Sequence, residues 1–106
     1  MNILFVCSRN KWRSRTAETI FKDNGYHSVR SAGTESSARI KVTAKMLDWA
    51  DIIFVMEKKH KSRLIQNFAV ASHKEIIVLD IPDDYQYMDE ELIDILQNSV
   101  SDHIKW

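Results

Sequence analysis

The residues best suited to chemistry in this sequence are a cysteine and an arginine separated by five residues, Cys7 and Arg13, with Ser14 directly after them. Five residues can curl into a loop whose backbone N–H groups point inward at a phosphate. The planar guanidinium of an arginine pairs two phosphate oxygens, and a positive field of this kind favours the reactive thiolate of a cysteine. The spacing therefore predicts a phosphate-binding loop with a nucleophilic sulfur, to which Ser14 could hydrogen-bond.

The patterns on either side of this segment favour a loop between a strand and a helix. The apolar run Ile3–Val6 predicts a buried strand, and the periodicity of Ser14–Asn24 predicts a helix that ends at Gly25. The helix start adds a positive dipole end behind the loop. The predicted phosphate-binding residues are Ser8, Arg9, Asn10, Lys11, Trp12, Arg13 and Ser14. The alternative is that Cys7 is simply a buried thiol at the end of a strand.

A second group of candidate residues lies far along the chain, after the apolar segment Glu75–Leu79. Asp83 follows Pro82 there, and a carboxylic acid at this place could protonate a leaving oxygen. The alternative is that Asp83 is only a turn residue. Tyr85 and Tyr87 could stack on an aromatic substrate as a substrate wall, or could cover the edge of the core.

Strand and helix patterns alternate along the whole chain. The predicted strands are Ile3–Val6, Ser28–Ala32, Ile52–Met56 and Glu75–Leu79, and the predicted helices are Ser14–Asn24, a short helix from a Thr43 cap through Trp49, Glu57–Phe68 and Asp89–His103. This alternation predicts an α/β fold, a three-layer sandwich with a four-stranded parallel sheet and helices on both faces. Ligands bind beyond the carboxyl ends of such strands, so Cys7 and the segment 80–84 should be neighbours.

Composition excludes several classes of protein. A chain of 106 residues predicts one domain, 1–106. The formal net charge is zero, with 15 basic and 15 acidic residues, so no overall field favours nucleic acid or a membrane surface. A single cysteine excludes an internal disulfide, and the four histidines show no ligand spacing, so no metal and no cofactor are expected. The apolar start, Met1–Val6, is too short for a signal peptide, so we expect a cytoplasmic protein.

Four segments together resemble the low-molecular-weight protein tyrosine phosphatases. They are Cys7–Glu18, Ser31–Thr34, Trp49–Met56 and Ile81–Tyr85, and they occur in the family's order across nearly the whole chain. The resemblance implies a four-stranded parallel sheet, a covalent phosphocysteine intermediate and no metal. It implies that Cys7 is the nucleophile, Arg13 the phosphate clamp and Asp83 the general acid. The substrate would be a phosphotyrosine protein or another aryl phosphate.

The chain also departs from the family's pattern. Arg9 stands where the family usually has glycine, so a positive φ there would cost roughly 1 kcal/mol or more. Trp12 stands where relatives often carry a second cysteine, so the protective disulfide of those relatives cannot form, and Trp12 brings bulk close to the sulfur. The stretch Thr34–Arg39 is shorter than in typical relatives, which predicts a shallower and more open pocket.

Two other functions remain open on the sequence. The departures at Arg9 and Trp12 are compatible with a catalytically weak phosphate-binding module. A cysteine phosphocarrier of similar fold is the second alternative, although a carrier needs no acid such as Asp83. Arsenate reduction is not expected, because it requires further cysteines to resolve the intermediate.

Overall fold

The computed structural model describes residues 1–106 and contains four strands and four α-helices in alternation. The strands are β1 (Asn2–Cys7), β2 (Ser28–Gly33), β3 (Ile52–Val55) and β4 (Glu75–Val78). The helices are α1 (Arg13–Phe21), α2 (Ala44–Trp49), α3 (Lys58–Asn67) and α4 (Glu90–Ser101), and a 3₁₀ helix covers Ala69–His73. None of the helices is both long and apolar enough to cross a membrane.

All four strands are parallel, in the order β2-β1-β3-β4. The register pairs Cys7 with Gly33 on one side of β1 and Val6 with Val55 on the other. Strand β1 therefore lies inside the sheet, and the loop after Cys7 opens at the carboxyl edge. The predicted four-stranded parallel sheet is confirmed.

Two apolar cores lie on opposite faces of the sheet because side chains alternate along each strand. Phe5 and Phe54 stack with their ring centroids 5.3 Å apart and belong to the core that includes residues of α1 and α4. Leu4 and Ile53 belong to the other core, with Leu47 of α2 and Leu64 of α3. The three-layer arrangement is confirmed, and β1 and β3 are buried on both faces.

Element boundaries differ from the sequence prediction mainly at helix ends. Helix α1 ends at Phe21 rather than Asn24, because the Asn24 amide donates to the Phe21 carbonyl at 2.7 Å and its Oδ1 accepts from the backbone of His27 at 2.6 Å. Asparagine offers the backbone this alternative to helix. The predicted cap of α2 is confirmed, since Thr43 Oγ1 accepts from the N–H of Met46. The 3₁₀ helix was not predicted.

Candidate active site

The segment from Cys7 to Arg13 forms the loop between β1 and α1. Cys7 is the last residue of β1 and Arg13 the first of α1. The loop needs a left-handed residue at Asn10, with φ of 57°, a conformation that asparagine tolerates better than most residues. Arg9 is not among the residues with positive φ, so the cost that a positive φ would impose on Arg9 does not arise.

The backbone of the loop presents unpaired donors. The N–H groups of Ser8, Arg9, Lys11 and Trp12 have no acceptor within the protein, whereas that of Asn10 donates to the Cys7 sulfur at 3.2 Å. The first N–H groups of α1 lack partners as well, as in any helix. Successive N–H groups of this kind, with a helix start behind them, form an anion-binding concavity.

The sulfur of Cys7 lies in a network of hydroxyl and amide groups. The Ser14 hydroxyl is 2.9 Å from the sulfur, and the Asn10 amide donates to the Ser14 oxygen at 2.7 Å. Because Ser14 accepts that proton, its own single hydroxyl proton can go to the sulfur or to the more distant Ala32 carbonyl, at 3.4 Å. The side chains of Cys7, Asn10 and Ser14 are buried, so water competes little for these contacts.

Asn10 is held in its unusual conformation by groups from three elements. Its amide also donates to the Ser31 hydroxyl at 2.8 Å, and Ser31 in turn donates to the carboxylate of Glu18. Arg39 donates from Nε to the Asn10 carbonyl at 3.1 Å and lies 3.9 Å from Glu18. The turn of the loop is therefore fixed by α1, β2 and the chain after β2.

The segment after β2 braces the loop from outside. Thr34 and Glu35 donate backbone N–H groups to the carbonyls of Cys7 at 3.0 Å and Ser8 at 2.9 Å, and Arg39 donates to that of Arg9 at 2.9 Å. The short stretch 34–39 thus forms backbone hydrogen bonds to the loop.

Close approach at the end of β2 requires a glycine. A Cβ atom at Gly33 would lie 2.6 Å from the Ser8 carbonyl oxygen and 2.6 Å from the Ala38 Cβ. Real Cβ contacts are not this short, so any larger residue would push the loop away from β2.

The Arg13 guanidinium is buried, with 2% of its side chain exposed, and it is anchored from one end. Its Nη1 donates to Glu57 at 3.0 Å and to the Ile81 carbonyl at 2.8 Å. These bonds occupy Nη1, so the N–H groups of Nε and Nη2 remain as a fork for two phosphate oxygens. Asp83 lies 3.5 Å from Nε.

Glu57 carries the countercharge of this anchor. Burial opposes its ionisation, but the hydrogen bond and positive charge of Arg13 outweigh burial and hold the pKa of Glu57 below its usual value. The ammonium of Lys59 lies 3.5 Å from the same carboxylate, and the ring of His60 lies 4.0 Å from it.

His60 is a buried neutral histidine whose tautomer can be assigned. Its Nδ1 accepts from the Glu57 backbone N–H at 3.0 Å, so the ring proton is on Nε2, which lies 2.9 Å from the Ser8 hydroxyl. Burial and the charge of Arg13 lower the pKa of His60 to about 4, although Glu57 acts in the opposite direction. His60 therefore supports the loop as a hydrogen-bond donor without carrying charge at neutral pH.

A cavity of about 310 Å³ opens above the loop; we call it the catalytic cavity. Its lining comprises Cys7, Ser8, Arg9, Lys11, Trp12, Arg13, Glu35, Lys59 and Asp83. Asn10 and Ser14 are fully buried and support the floor from beneath. Asp83 is in the lining and the adjacent Asp84 is not. The loop after Cys7 and the segment 80–84, which the sequence predicted to be neighbours at the carboxyl edge of the sheet, thus line one cavity. No group of three or more His, Cys, Asp or Glu side chains is arranged to hold a metal ion.

The predicted substrate wall of Tyr85 and Tyr87 is not found at the cavity. Tyr85 packs against the core that contains Phe5 and Phe54. The Tyr87 hydroxyl lies 2.9 Å from that of Thr19, and the Arg15 guanidinium lies 4.3 Å from the centre of its ring. Both tyrosines are occupied elsewhere, so the prediction is corrected: the aromatic side chain in the cavity lining is that of Trp12, with 41% of the residue exposed.

Several supporting residues were missed by the sequence analysis. Glu57 and His60 were assigned to an ordinary helix, and Glu35 to a shortened loop. Ser31 was noted only as part of a resembling segment. A weak signal existed for Glu57, because it directly follows the buried strand segment 52–56, the position at which parallel sheets place ligand-binding groups.

No protein-family model and no curated protein sequence matches the chain. Solved structures do match. The tyrosine phosphatase Wzb from Escherichia coli K30, in complex with phosphate, has a TM-score of 0.78 and 21% identity over 95% of this chain and 94% of its own. A low-molecular-weight phosphotyrosine phosphatase from Vibrio cholerae O395 has a TM-score of 0.74 and 21% identity over 96% and 95%.

A third match is the arginine phosphatase YwlE, as a mutant with a phosphorylated active-site serine. Its TM-score is 0.71, with 21% identity over 95% of both chains. The three matches agree in fold over almost the whole length of the chain. The chain therefore has the fold of the low-molecular-weight protein tyrosine phosphatases, which confirms the architecture that the sequence resemblance implied.

Proposed function

We propose that this chain is a cysteine-dependent phosphatase of the low-molecular-weight protein tyrosine phosphatase family, and that it hydrolyses phosphomonoesters, with phosphotyrosine proteins as its substrates. The observation that carries the proposal is the loop itself. Cys7 and Arg13 face one cavity across unpaired backbone N–H groups, and that combination suits a phosphate dianion.

In the proposed first step, the Cys7 thiolate attacks phosphorus and the bond from phosphorus to the ester oxygen breaks. Arg13 and the loop N–H groups bind the non-bridging oxygens, whose charge must be held throughout the transfer. Asp83 donates its proton to the leaving oxygen. The products are a phosphocysteine and the free alcohol or phenol.

In the second step, water attacks the phosphocysteine and the sulfur–phosphorus bond breaks. The Asp83 carboxylate accepts a proton from that water, the Cys7 thiolate is restored, and inorganic phosphate leaves. Ser14, whose hydroxyl lies 2.9 Å from the sulfur and 3.4 Å from its other acceptor, the Ala32 carbonyl, would stabilise the sulfur as it becomes a leaving group. The phosphorylated serine of the YwlE mutant supports a phosphoryl group on the residue at this type of site.

An aromatic substrate is favoured by Trp12. It is the one aromatic side chain in the cavity lining, and an exposed indole can stack on a phenyl ring. The basic residues Arg9, Lys11 and Lys59 at the same cavity favour an anionic substrate. We therefore propose aryl phosphates over alkyl phosphates, and neither nucleic acid nor a membrane as partner.

The location and extent of the protein are also proposed. A cytoplasmic location suits a nucleophilic thiol with no second cysteine to protect it. Residues 1–106 are proposed to form one phosphatase-like domain.

The experiment is a comparison of wild type with Cys7→Ser on a phosphotyrosine peptide, on p-nitrophenyl phosphate and on a phosphoarginine peptide. We expect turnover of the first two by wild type and none by the variant, which should retain the native circular dichroism spectrum. Wild-type turnover in the variant would contradict the covalent mechanism.

The alternatives predict other results. A phosphate-binding module would bind vanadate without turnover of any ester, and a phosphocarrier would keep its phosphate until an acceptor is added. A much higher kcat/KM on phosphoarginine than on phosphotyrosine would leave the phosphatase assignment intact and overturn the substrate assignment.

A further inference from the structure

A second cavity, of about 210 Å³, adjoins the catalytic cavity. We call it the basic cleft. It is lined by Ser8, Thr34, Glu35, Lys59, His60 and Arg63. Ser8, Glu35 and Lys59 line both cavities, so a ligand that occupies the catalytic cavity can extend directly into the basic cleft.

The lining of the basic cleft has more positive than negative side chains. Lys59 and Arg63 supply two cations, and Arg63 forms no ion pair within the protein. The single carboxylate of the lining, Glu35, is paired with Arg9 at 3.1 Å. Burial lowers the pKa of His60 to about 4, so this residue adds no charge at neutral pH. Lys59 is paired with Glu57 at 3.5 Å, so Arg63 is the one cation of the cleft that no protein carboxylate pairs.

The position of these cations on α3 is unfavourable without a ligand. Lys59 and Arg63 are four residues apart, so they lie on one side of the helix and repel each other. Lys59 is in the first turn, where the helix dipole is positive and disfavours cations. The N-cap residue Glu57 offsets the dipole at Lys59, since its carboxylate lies 3.5 Å from the Lys59 ammonium. The repulsion between Lys59 and Arg63 remains, and an anion bound beside Arg63 would relieve it.

Hydroxyl donors complete the lining. The Ser8 oxygen receives the Nε2 proton of His60, so the hydroxyl proton of Ser8 remains free to donate to a ligand. The Thr34 hydroxyl has no hydrogen bond within the protein and offers a second donor at the same cleft. Two cations and two hydroxyl donors are a suitable set for a carboxylate.

We propose that the basic cleft binds an acidic side chain of the substrate, next to the phosphorylated residue that occupies the catalytic cavity. This inference rests on the proposed phosphatase function and adds its substrate preference: phosphotyrosine with an acidic neighbour. Arg63 is the specificity-determining residue, because it lines the basic cleft and not the catalytic cavity.

The test uses phosphotyrosine peptides that carry Asp, Asn or Lys at one position, placed in turn at the two residues before and the two residues after phosphotyrosine. Wild type, Arg63→Gln and Arg63→Glu are compared on all peptides and on p-nitrophenyl phosphate. Lys61→Gln is the matched control, since it removes a cation of the same helix that lines neither cavity.

For wild type we expect the best Asp peptide to exceed its Asn counterpart by about fivefold in kcat/KM, mainly through KM, as for an exposed ion pair. Arg63→Gln should abolish most of this preference and Arg63→Glu should reverse it in favour of Lys. Lys61→Gln should keep the preference, and all variants should hydrolyse p-nitrophenyl phosphate like wild type.

Equal kcat/KM for Asp and Asn peptides in wild type would overturn the proposed cleft, and so would a preference that Arg63→Glu leaves unchanged. Either result leaves the phosphatase function standing if p-nitrophenyl phosphate is hydrolysed. Failure of the wild type on every ester would instead contradict the proposed function itself.

Discussion

Nη1 of Arg13 donates at once to the Glu57 carboxylate, at 3.0 Å, and to the Ile81 carbonyl, at 2.8 Å. A single nitrogen of the Arg13 guanidinium is thus fixed by the residue that caps α3 and by the chain beyond β4. The N–H groups of Nε and Nη2 form no hydrogen bond within the protein and remain for a ligand.

Glu57→Gln should lower kcat/KM on aryl phosphates, since the amide keeps a hydrogen bond to Arg13 and removes the countercharge. A hydrogen bond to a charged group contributes about 1.5–3 kcal/mol. If about half of this energy serves to orient the Arg13 guanidinium, kcat/KM should fall by about tenfold. The measurement is steady-state kinetics with vanadate inhibition. The control is Glu75→Gln, at an exposed position of β4, which should leave kcat/KM unchanged. If the two variants lowered kcat/KM equally, Glu57 would have no anchoring role.

Gly33→Ala should disrupt the loop. Its new methyl group would lie 2.6 Å from the Ser8 carbonyl, and overpacking of this kind costs roughly 1–3 kcal/mol. Urea unfolding should show the lower stability, and hydrolysis should fall with it. The matched control is Gly25→Ala, where φ is +85° and no atom lies within 4 Å. Strain there costs about 1–2 kcal/mol and should leave kcat unchanged.

Stability should decrease on mild acidification because of His60. Its pKa is about 4 in the folded protein against 6.5 for the free side chain, so between these values the unfolded chain binds a proton that the folded chain does not. The free energy of unfolding should therefore fall by about 2 kcal/mol from pH 7 to pH 5 through this group alone.

Urea titrations of wild type and His60→Asn at both pH values measure this effect. The asparagine variant should be less stable at pH 7 and should show a flatter pH dependence, whereas His73→Asn, at an exposed site, should behave like wild type. An unchanged slope in His60→Asn would contradict the assignment.

Asp83 rather than Asp84 should be the general acid, because Asp83 lines the catalytic cavity and lies 3.5 Å from Arg13 Nε. General acid catalysis contributes about 10²–10⁴-fold, and most for poor leaving groups. Asp83→Asn should therefore slow phosphotyrosine cleavage strongly and nitrophenyl ester cleavage less, while Asp84→Asn should have a small effect on both. A larger leaving-group dependence in the Asp84 variant would reverse the two roles.

Trp12 should determine the preference for aryl esters. Trp12→Ala should raise KM for an aryl phosphate by about two- to tenfold, the range of one aromatic contact of about 0.5–1.5 kcal/mol, and should leave an alkyl phosphate of equal charge unaffected. Trp12→Phe should restore most of the difference. If Trp12→Ala raised KM equally for the aryl and the alkyl phosphate, Trp12 would stabilise the loop and would not contact the substrate ring.

The sequence predicted those parts of the site that a short, continuous segment encodes. Cys7, Arg13 and Ser14 are close in sequence, and alternating strands and helices predicted the sheet edge to which they belong. The contacts between Ser8 and His60, or Asn10 and Ser31, join residues 52 and 21 positions apart. Local periodicity carries no information on such pairs. Tyr87 was misplaced for the same reason, since its partner Thr19 lies 68 residues away.

The anchoring of Arg13 also has a consequence for protein synthesis. Glu57 and Ile81 lie 44 and 68 residues after Arg13. A ribosome has therefore produced the complete loop from Cys7 to Arg13 long before it produces the groups that hold the guanidinium. A nascent chain that ends before β3 carries Cys7 and Arg13 but lacks both groups that hold the guanidinium in place. Activity should therefore appear late in translation, when the last anchoring residue has left the exit tunnel.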